Sequence, residues 1–83
     1  MNPIPVNVEY ISPYKLIITF ADGKAKQFDI KPYLHFPVYQ PLQNEMFCSK
    51  AKIEYGTVVW DEEIDFDPDR LYLESKELIQ EEN

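Results

Sequence analysis

Six carboxylates between residues 61 and 69 are the densest group of chemically capable side chains in this 83-residue chain: Asp61, Glu62, Glu63, Asp65, Asp67 and Asp69. Ile64 and Phe66 interrupt them, and Pro68, Arg70, Leu71 and Tyr72 follow. Three kinds of chemistry suit such a run: a metal loop, an acid–base pair, or a face turned toward a basic partner. The metal reading is the sharpest. Asp65, Asp67 and Asp69 occupy the first, third and fifth places of an EF-hand loop, which then requires glycine at the sixth and glutamate at the twelfth. Arg70 and Lys76 stand there instead, so no metal ligand is assigned. Acid–base work needs two carboxyls held at different pKa values beside a substrate; nothing in the sequence separates these six, and no pocket is implied. The docking reading remains, with Asp61, Glu62, Glu63, Asp65 and Asp69 facing the partner and an aromatic such as Tyr72 or Tyr39 as anchor. Beside it stands the plainer reading, in which the acids only keep a small protein soluble.

No other residue type supplies a reaction centre. His35 is the only histidine and lies between Leu34 and Phe36 in a proline-rich stretch; a catalytic base also needs a nucleophile and an orienting group. Cys48 is the only cysteine and follows Phe47, which reads as a small core residue. Two glycines are too few for a phosphate-cradling loop. The chain reads as a non-enzyme with no catalytic residue and no cofactor; a small-ligand or metal-binding domain is the alternative.

Net charge is −7 and unevenly spread. Residues 1–52 hold six lysines against four acids, and residues 53–83 hold eleven acids against Arg70 and Lys76. Phosphate binding depends on Lys and Arg, so nucleic acid is not an expected direct ligand. A basic protein partner is, because opposite fields speed encounter. The lone cysteine allows no intrachain disulfide. The longest aliphatic run, Leu16-Ile17-Ile18, is far short of a membrane span, and residues 1–11 lack a signal-peptide pattern. A cytoplasmic setting follows as the expectation.

The elements that must position the acids are those of one small α+β domain over 1–83, mainly antiparallel, in the order β-β-β-α-β-β-α. Ile4, Val6, Val8 and Tyr10 recur with period two and predict a strand, kept to a sheet edge by Pro3 and Pro5. Ser12-Pro13 marks a turn. Segments 15–20 and 24–30 flank Ala21-Asp22-Gly23. A two-residue turn there would oppose Leu16 to Asp29 and expel Phe28 and Ile30 from the apolar face. A three-residue loop with Gly23 left-handed opposes Leu16 to Phe28 and Phe20 to Lys24, placing Leu16, Ile18, Phe20, Phe28 and Ile30 together. Lys24 and Lys26 then serve to blunt a strand edge. Residues 31–43, with three prolines among aromatics, predict a compact loop with one turn near 31–34. Asn44 caps a short helix over 44–49 that closes the core with Met46 and Phe47. Segments 51–55 and 57–60 form a second hairpin around Gly56, buried on both faces and carrying Trp60. Asp67 as N-cap and Pro68 as first helical residue open a last helix, its stripe made by Leu71, Ser75 and Leu78 with Tyr72 and Ile79. Residues 80–83 are expected to fray, because Glu81 and Glu82 oppose the helix dipole. The second hairpin and this stripe each offer a face to a second copy, so a homodimer is open beside the monomer.

Four blocks of the chain resemble the small bacterial proteins grouped as domain of unknown function 2442. They are Tyr14-Lys15-Leu16-Ile17-Ile18-Thr19-Phe20 with Ala21-Asp22-Gly23; Phe28-Asp29-Ile30; Leu42 with Phe47; and Val58-Val59-Trp60 leading to Asp65-Phe66-Asp67-Pro68-Asp69-Arg70-Leu71-Tyr72. Together they span about residues 6–73. The resemblance implies a compact, mostly antiparallel α+β domain and no established activity or catalytic residue. It also implies a place like that of an antitoxin, because members look like partners of an adjacent small protein in proposed toxin–antitoxin pairs. Some members carry an added helix-turn-helix domain, for which this chain has no room. Where members often have a Pro-Asn-Gly-like turn after the tryptophan, this chain has Asp61-Glu62-Glu63, which enlarges its acidic surface.

Overall fold

The computed structural model describes residues 2–61 and 63–78. Three strands open the chain: β1 (Pro5–Ile11), β2 (Lys15–Phe20) and β3 (Ala25–Asp29). The register between β2 and β3 sets Leu16 against Phe28 and Ile18 against Lys26. The amide of Phe20 donates to the carbonyl of Lys24 at 2.9 Å, that of Gly23 donates to the Phe20 carbonyl at 2.8 Å, and Gly23 has φ +90°. This is the three-residue loop that burial of Phe28 and Ile30 demands. Leu16, Ile18, Phe20, Phe28 and Ile30 are all at or below 1% exposed.

The strand order is β1-β2-β3-β7, with β7 the short strand Lys76–Glu77, so β1 lies at an edge as its prolines require. Its inward face differs from the simple alternation. A register shift between Pro5 and Asn7 places one extra residue on β1 and reverses the parity before it. Pro5 is buried, Val8 and Tyr10 pack against the core, and Ile4 and Val6 face outward.

The middle of the chain is tighter than the expected loop with one turn. A 3-10 turn at Lys31–Tyr33 is followed by a second 3-10 segment, Pro37–Gln43, whose Leu42 is fully buried. The helix α1 (Glu45–Cys48) follows, with the Asn44 side chain accepting from the Phe47 amide. Met46 is 75% exposed and does not close the core; Phe47 packs against it, and Cys48, two residues after Met46, is buried within it.

A second sheet has the order β4-β5-β6: β4 (Lys52–Glu54), β5 (Thr57–Asp61) and β6 (Ile64–Asp65). The β4–β5 turn is Tyr55-Gly56, both with positive φ (57° and 76°). Burial on both faces holds for Thr57 through Trp60 but not for β4, whose Lys52 and Glu54 are exposed. Strand β6 is absent from the sequence reading because two residues are too few to display a period.

The last helix, α2 (Pro68–Glu74), is capped by Asp67, whose carboxylate accepts from the Arg70 amide at 3.1 Å. It ends sooner than the apolar stripe predicts. Ser75 is extended (ψ 163°), and Lys76–Glu77 form β7, paired with Gln27 and Lys26 of β3. Covering the otherwise open edge of β3 competes with a third helical turn and prevails. Ile79 and residues 80–83, including the expected fraying, lie outside the described residues. One core joins both sheets, with Phe28, Trp60, Phe66 and Leu71 among its members.

A Cβ built on Gly23 meets no atom within 4 Å, so substitution there tests backbone conformation alone. Gly23→Val is expected to lower unfolding free energy by about 1–3 kcal/mol, and Gly23→Asn by much less, because asparagine tolerates the left-handed region. Urea denaturation of the pair measures it; equal losses would show that the positive φ is not the cause.

Candidate interface: the acidic segment and its flanking clefts

Burial of alternate apolar residues dictates where the carboxylates point. Ile64 and Phe66 are 6% and 1% exposed, and Asp65 and Asp67 on either side are exposed. Phe66 is held by four rings: Tyr39 stacked at 4.4 Å, Phe28 at 5.2 Å, Tyr33 at 5.3 Å and Trp60 at 5.7 Å between centroids. Trp60 is fixed in turn by its indole N–H donating to the Cys48 carbonyl at 2.7 Å. Asp61, Glu63 and Asp69 are exposed as well, and Glu62 lies outside the described residues. Ion pairs among the described residues join Lys24 to Glu77 and Lys52 to Glu54; neither uses a carboxylate of the acidic segment. The polar contacts of these acids are to neutral donors. Asp61 accepts from the Glu63 amide at 2.8 Å, Asp67 caps α2, and Asp69 accepts from the Asn2 amide side chain at 3.3 Å.

A cleft lies on each side of the segment. One, of about 650 Å³, is lined by Lys52, Glu54, Tyr55, Trp60, Asp61 and Glu63. Tyr55, at the hairpin tip, is 94% exposed. The other, of about 610 Å³, is lined by Tyr33, Phe36, Pro37, Val38, Tyr39, Asp67 and Arg70. Phe36 and Val38 are 44% and 54% exposed there. The guanidinium of Arg70 lies 5.8 Å from the Tyr33 ring centre, within cation–π range. Tyr39 is half-buried; its hydroxyl donates to the Asp65 carbonyl at 3.4 Å, which ties this cleft to the acidic backbone. Sequence reasoning named Tyr39 and missed Phe36, Val38 and Arg70. The three prolines and the aromatics of 31–43 were visible, but which of them stay exposed depends on how the 3-10 segments pack against Phe66 and α2.

Tyr72 is placed apart from the aromatic cleft and is committed within the chain. Its hydroxyl donates to Asp22 at 2.8 Å, and its ring meets Phe20 edge-on at 4.9 Å. The ammonium of Lys26 sits 3.9 Å from the centre of that ring and donates to the Tyr72 carbonyl. Lys26 is only 7% exposed. It does not blunt an edge, since β3 is paired on both sides; it caps the carboxyl end of α2 from the neighbouring sheet, where a cation meets the negative end of the helix dipole. Its parity with Phe28 and Ile30 was the available signal, a lysine on a strand's apolar face. The carboxyl of Asp22 is held below the usual range first by the Lys24 amide and, after a smaller opposing effect of burial, by the Tyr72 hydroxyl.

The remaining perturbed groups are structural in geometry. Burial, aided by the hydrogen bond to Glu45, pushes the Tyr10 hydroxyl up to about 12, and burial pushes the Cys48 thiol up to about 11. The Tyr10 and Ser12 hydroxyls donate to Glu45 and hold its carboxyl down. A thiol raised this way is a poor nucleophile near neutral pH. Among the described residues, no three His, Cys, Asp or Glu side chains are grouped to hold a metal ion. None of the described helices is long and apolar enough to cross a membrane.

Two outcomes follow. Lys26→Ala is expected to lower unfolding free energy by about 1–3 kcal/mol through the lost hydrogen bond, ring contact and stem packing, and Lys26→Met by less because the stem is kept; chemical denaturation reads both, and a neutral alanine variant would contradict the capping role. Tyr10 and Cys48 have folded pKa values above their ordinary 10.0 and 9.0, so the unfolded chain loses those protons first. Their contribution is complete below pH 9 and is lost as pH rises through the interval from 9 to 12. Melting temperature against pH should fall across that interval, less steeply in Tyr10→Phe; identical slopes would contradict it.

No curated protein and no solved structure matches the chain. The profile of the family described as protein of unknown function (DUF2442) matches residues 5–77, which include every strand and helix described above. The blocks quoted from the sequence fall within that span, and the α+β arrangement of antiparallel sheets agrees with what the resemblance implied. On that match over most of its length, the chain belongs to the DUF2442 family of proteins of unknown function.

Proposed function

We propose that this protein is a non-enzymatic interaction module that docks a basic protein partner through its acidic segment, in the manner of the antitoxin-like member of a two-protein pair. One observation carries the reading: Asp61, Glu63, Asp65, Asp67 and Asp69 are all exposed, and none is paired with a cation of the chain among the described residues. Asp67 also caps α2, and Asp61 and Asp69 each accept one neutral hydrogen bond, none of which removes the charge. The carboxylates leave their field for an incoming positive surface, where complementary charge speeds encounter and rejects wrong partners. The flanking clefts supply apolar contact, which sets the lifetime of a complex more than its rate of formation. The net charge of −7 disfavours a direct nucleic-acid ligand. A cytoplasmic partner, encoded by a neighbouring gene, and a monomer–homodimer equilibrium belong to the same proposal.

The test begins with a pull-down from the native cell extract and identification of what co-purifies. Association of that partner is then followed by stopped-flow with Asp61→Asn, Glu62→Gln and Glu63→Gln combined. The variant is expected to fold with an unchanged melting temperature and to associate about tenfold more slowly at low salt, with a flatter dependence on ionic strength. An unchanged association rate at low salt would reject the electrostatic docking surface.

A further inference from the structure

The second cleft allows the partner's chemistry to be narrowed, on the proposed reading that the acidic segment meets a basic protein. Its walls are the rings of Tyr33, Phe36 and Tyr39, with Pro37 and Val38 between them and Arg70 and Asp67 at one end. Three recognition modes are available to a polypeptide here, and two are poorly served. Strand addition needs free backbone donors and acceptors in extended array. The amides of Tyr33, Phe36 and Tyr39 are spent on the turn carbonyls of Ile30, Tyr33 and Phe36, at 2.8, 3.1 and 2.9 Å, and Pro37 has no N–H. A docked helix needs an apolar groove long enough for anchors at i, i+3/i+4 and i+7. Here the exposed apolar surface is short, centred on Phe36 and Val38.

The third mode is an extended polyproline-II segment, which packs its proline rings on aromatic side chains. Such a segment has no internal hydrogen bonds, so its carbonyls require donors. The hydroxyls of Tyr33 and Tyr39 already donate, to Glu74 and to the Asp65 carbonyl. Arg70, exposed and without an ion pair among the described residues, has five N–H groups to offer. The charge around the cleft then chooses the flanks of the segment. Asp67 lines it with an exposed carboxylate, and Asp65 and Asp69, two residues to either side in the chain, are exposed as well; together they favour Lys or Arg beside the prolines. We propose that the Tyr33–Phe36–Tyr39 cleft binds an extended, proline-containing segment of a basic polypeptide. Its prolines lie on the three rings, its carbonyls accept from Arg70, and its basic residues face Asp65, Asp67 and Asp69.

Calorimetric titration of the full chain with three synthetic hexapeptides tests this: Lys-Pro-Leu-Pro-Pro-Arg, the same peptide with alanine for each proline, and the same peptide with glutamate for Lys and Arg. The basic proline peptide is expected to bind in the range of about 10–500 μM, with the alanine and glutamate peptides at least tenfold weaker. Phe36→Ala and Arg70→Gln should each weaken it at least fivefold. Since Phe36 is 44% exposed, its variant should keep the melting temperature of the parent. Equal binding of the proline and alanine peptides, no binding of any peptide at millimolar concentration, or full binding to Phe36→Ala would overturn the assignment. The two proposals fail separately: a native partner unaffected by Phe36→Ala yet slowed by the Asp61, Glu62 and Glu63 replacements rejects the cleft alone, and one unaffected by those replacements rejects the docking surface.

Discussion

The burial of Phe66 is the constraint on which the rest depends. Its ring lies among Phe28, Tyr33, Tyr39 and Trp60, rings that come from β3, from both 3-10 segments and from β5. One residue thus joins the first sheet, the middle turns and the second sheet in a single apolar contact set. Because the backbone around it is extended, fixing Phe66 inward also fixes Asp65 and Asp67 outward. The acidic face is therefore a consequence of core packing, since a carboxylate displaced from it would have to enter an apolar interior without a partner.

A second joint lies at the far end of α2. Lys26 projects from the apolar face of β3, meets the ring and carbonyl of Tyr72, and closes the helix where Ser75 turns it into β7. The buried ammonium is tolerated because the helix terminus, the ring and its own hydrocarbon stem share its environment. Around it, Lys24 pairs with Glu77 and Tyr72 with Asp22. The lysines of this hairpin are thus partly committed to the protein's own carboxyl-terminal elements. Among the described acids of 61–69, Asp67 caps α2 and Asp61 and Asp69 each accept one neutral hydrogen bond, but none is paired with a cation, and that difference separates neutralised charge from charge left for a partner.

Local rules made much of this readable in the sequence. The Gly23 loop and the Leu16–Phe28 register follow from alternation and one left-handed glycine, and the Asn44 and Asp67 caps follow from residue type and position. What escaped depended on contacts distant in sequence. Strands β6 and β7 are two residues each and exist only because a neighbouring edge accepts them. The bulge that turns Pro5 inward requires knowing what Phe20 needs opposite it. Of the interface, the exposure of the acids was legible from their interleaving with Ile64 and Phe66. The commitment of Tyr72 and the cleft around Phe36 and Val38 were not, because both rest on packing between segments more than 25 residues apart, as in the Tyr39–Asp65 bond.

Hydrogen–deuterium exchange of the protein, alone and bound to its native partner, tests the central claim most directly. The account predicts that slowed exchange is concentrated in residues 33–39 and 61–70, the cleft and the acids beside it. Slowed exchange confined to the hairpin at 15–30 or to the outer edge of β1, with 61–70 unchanged, would contradict it.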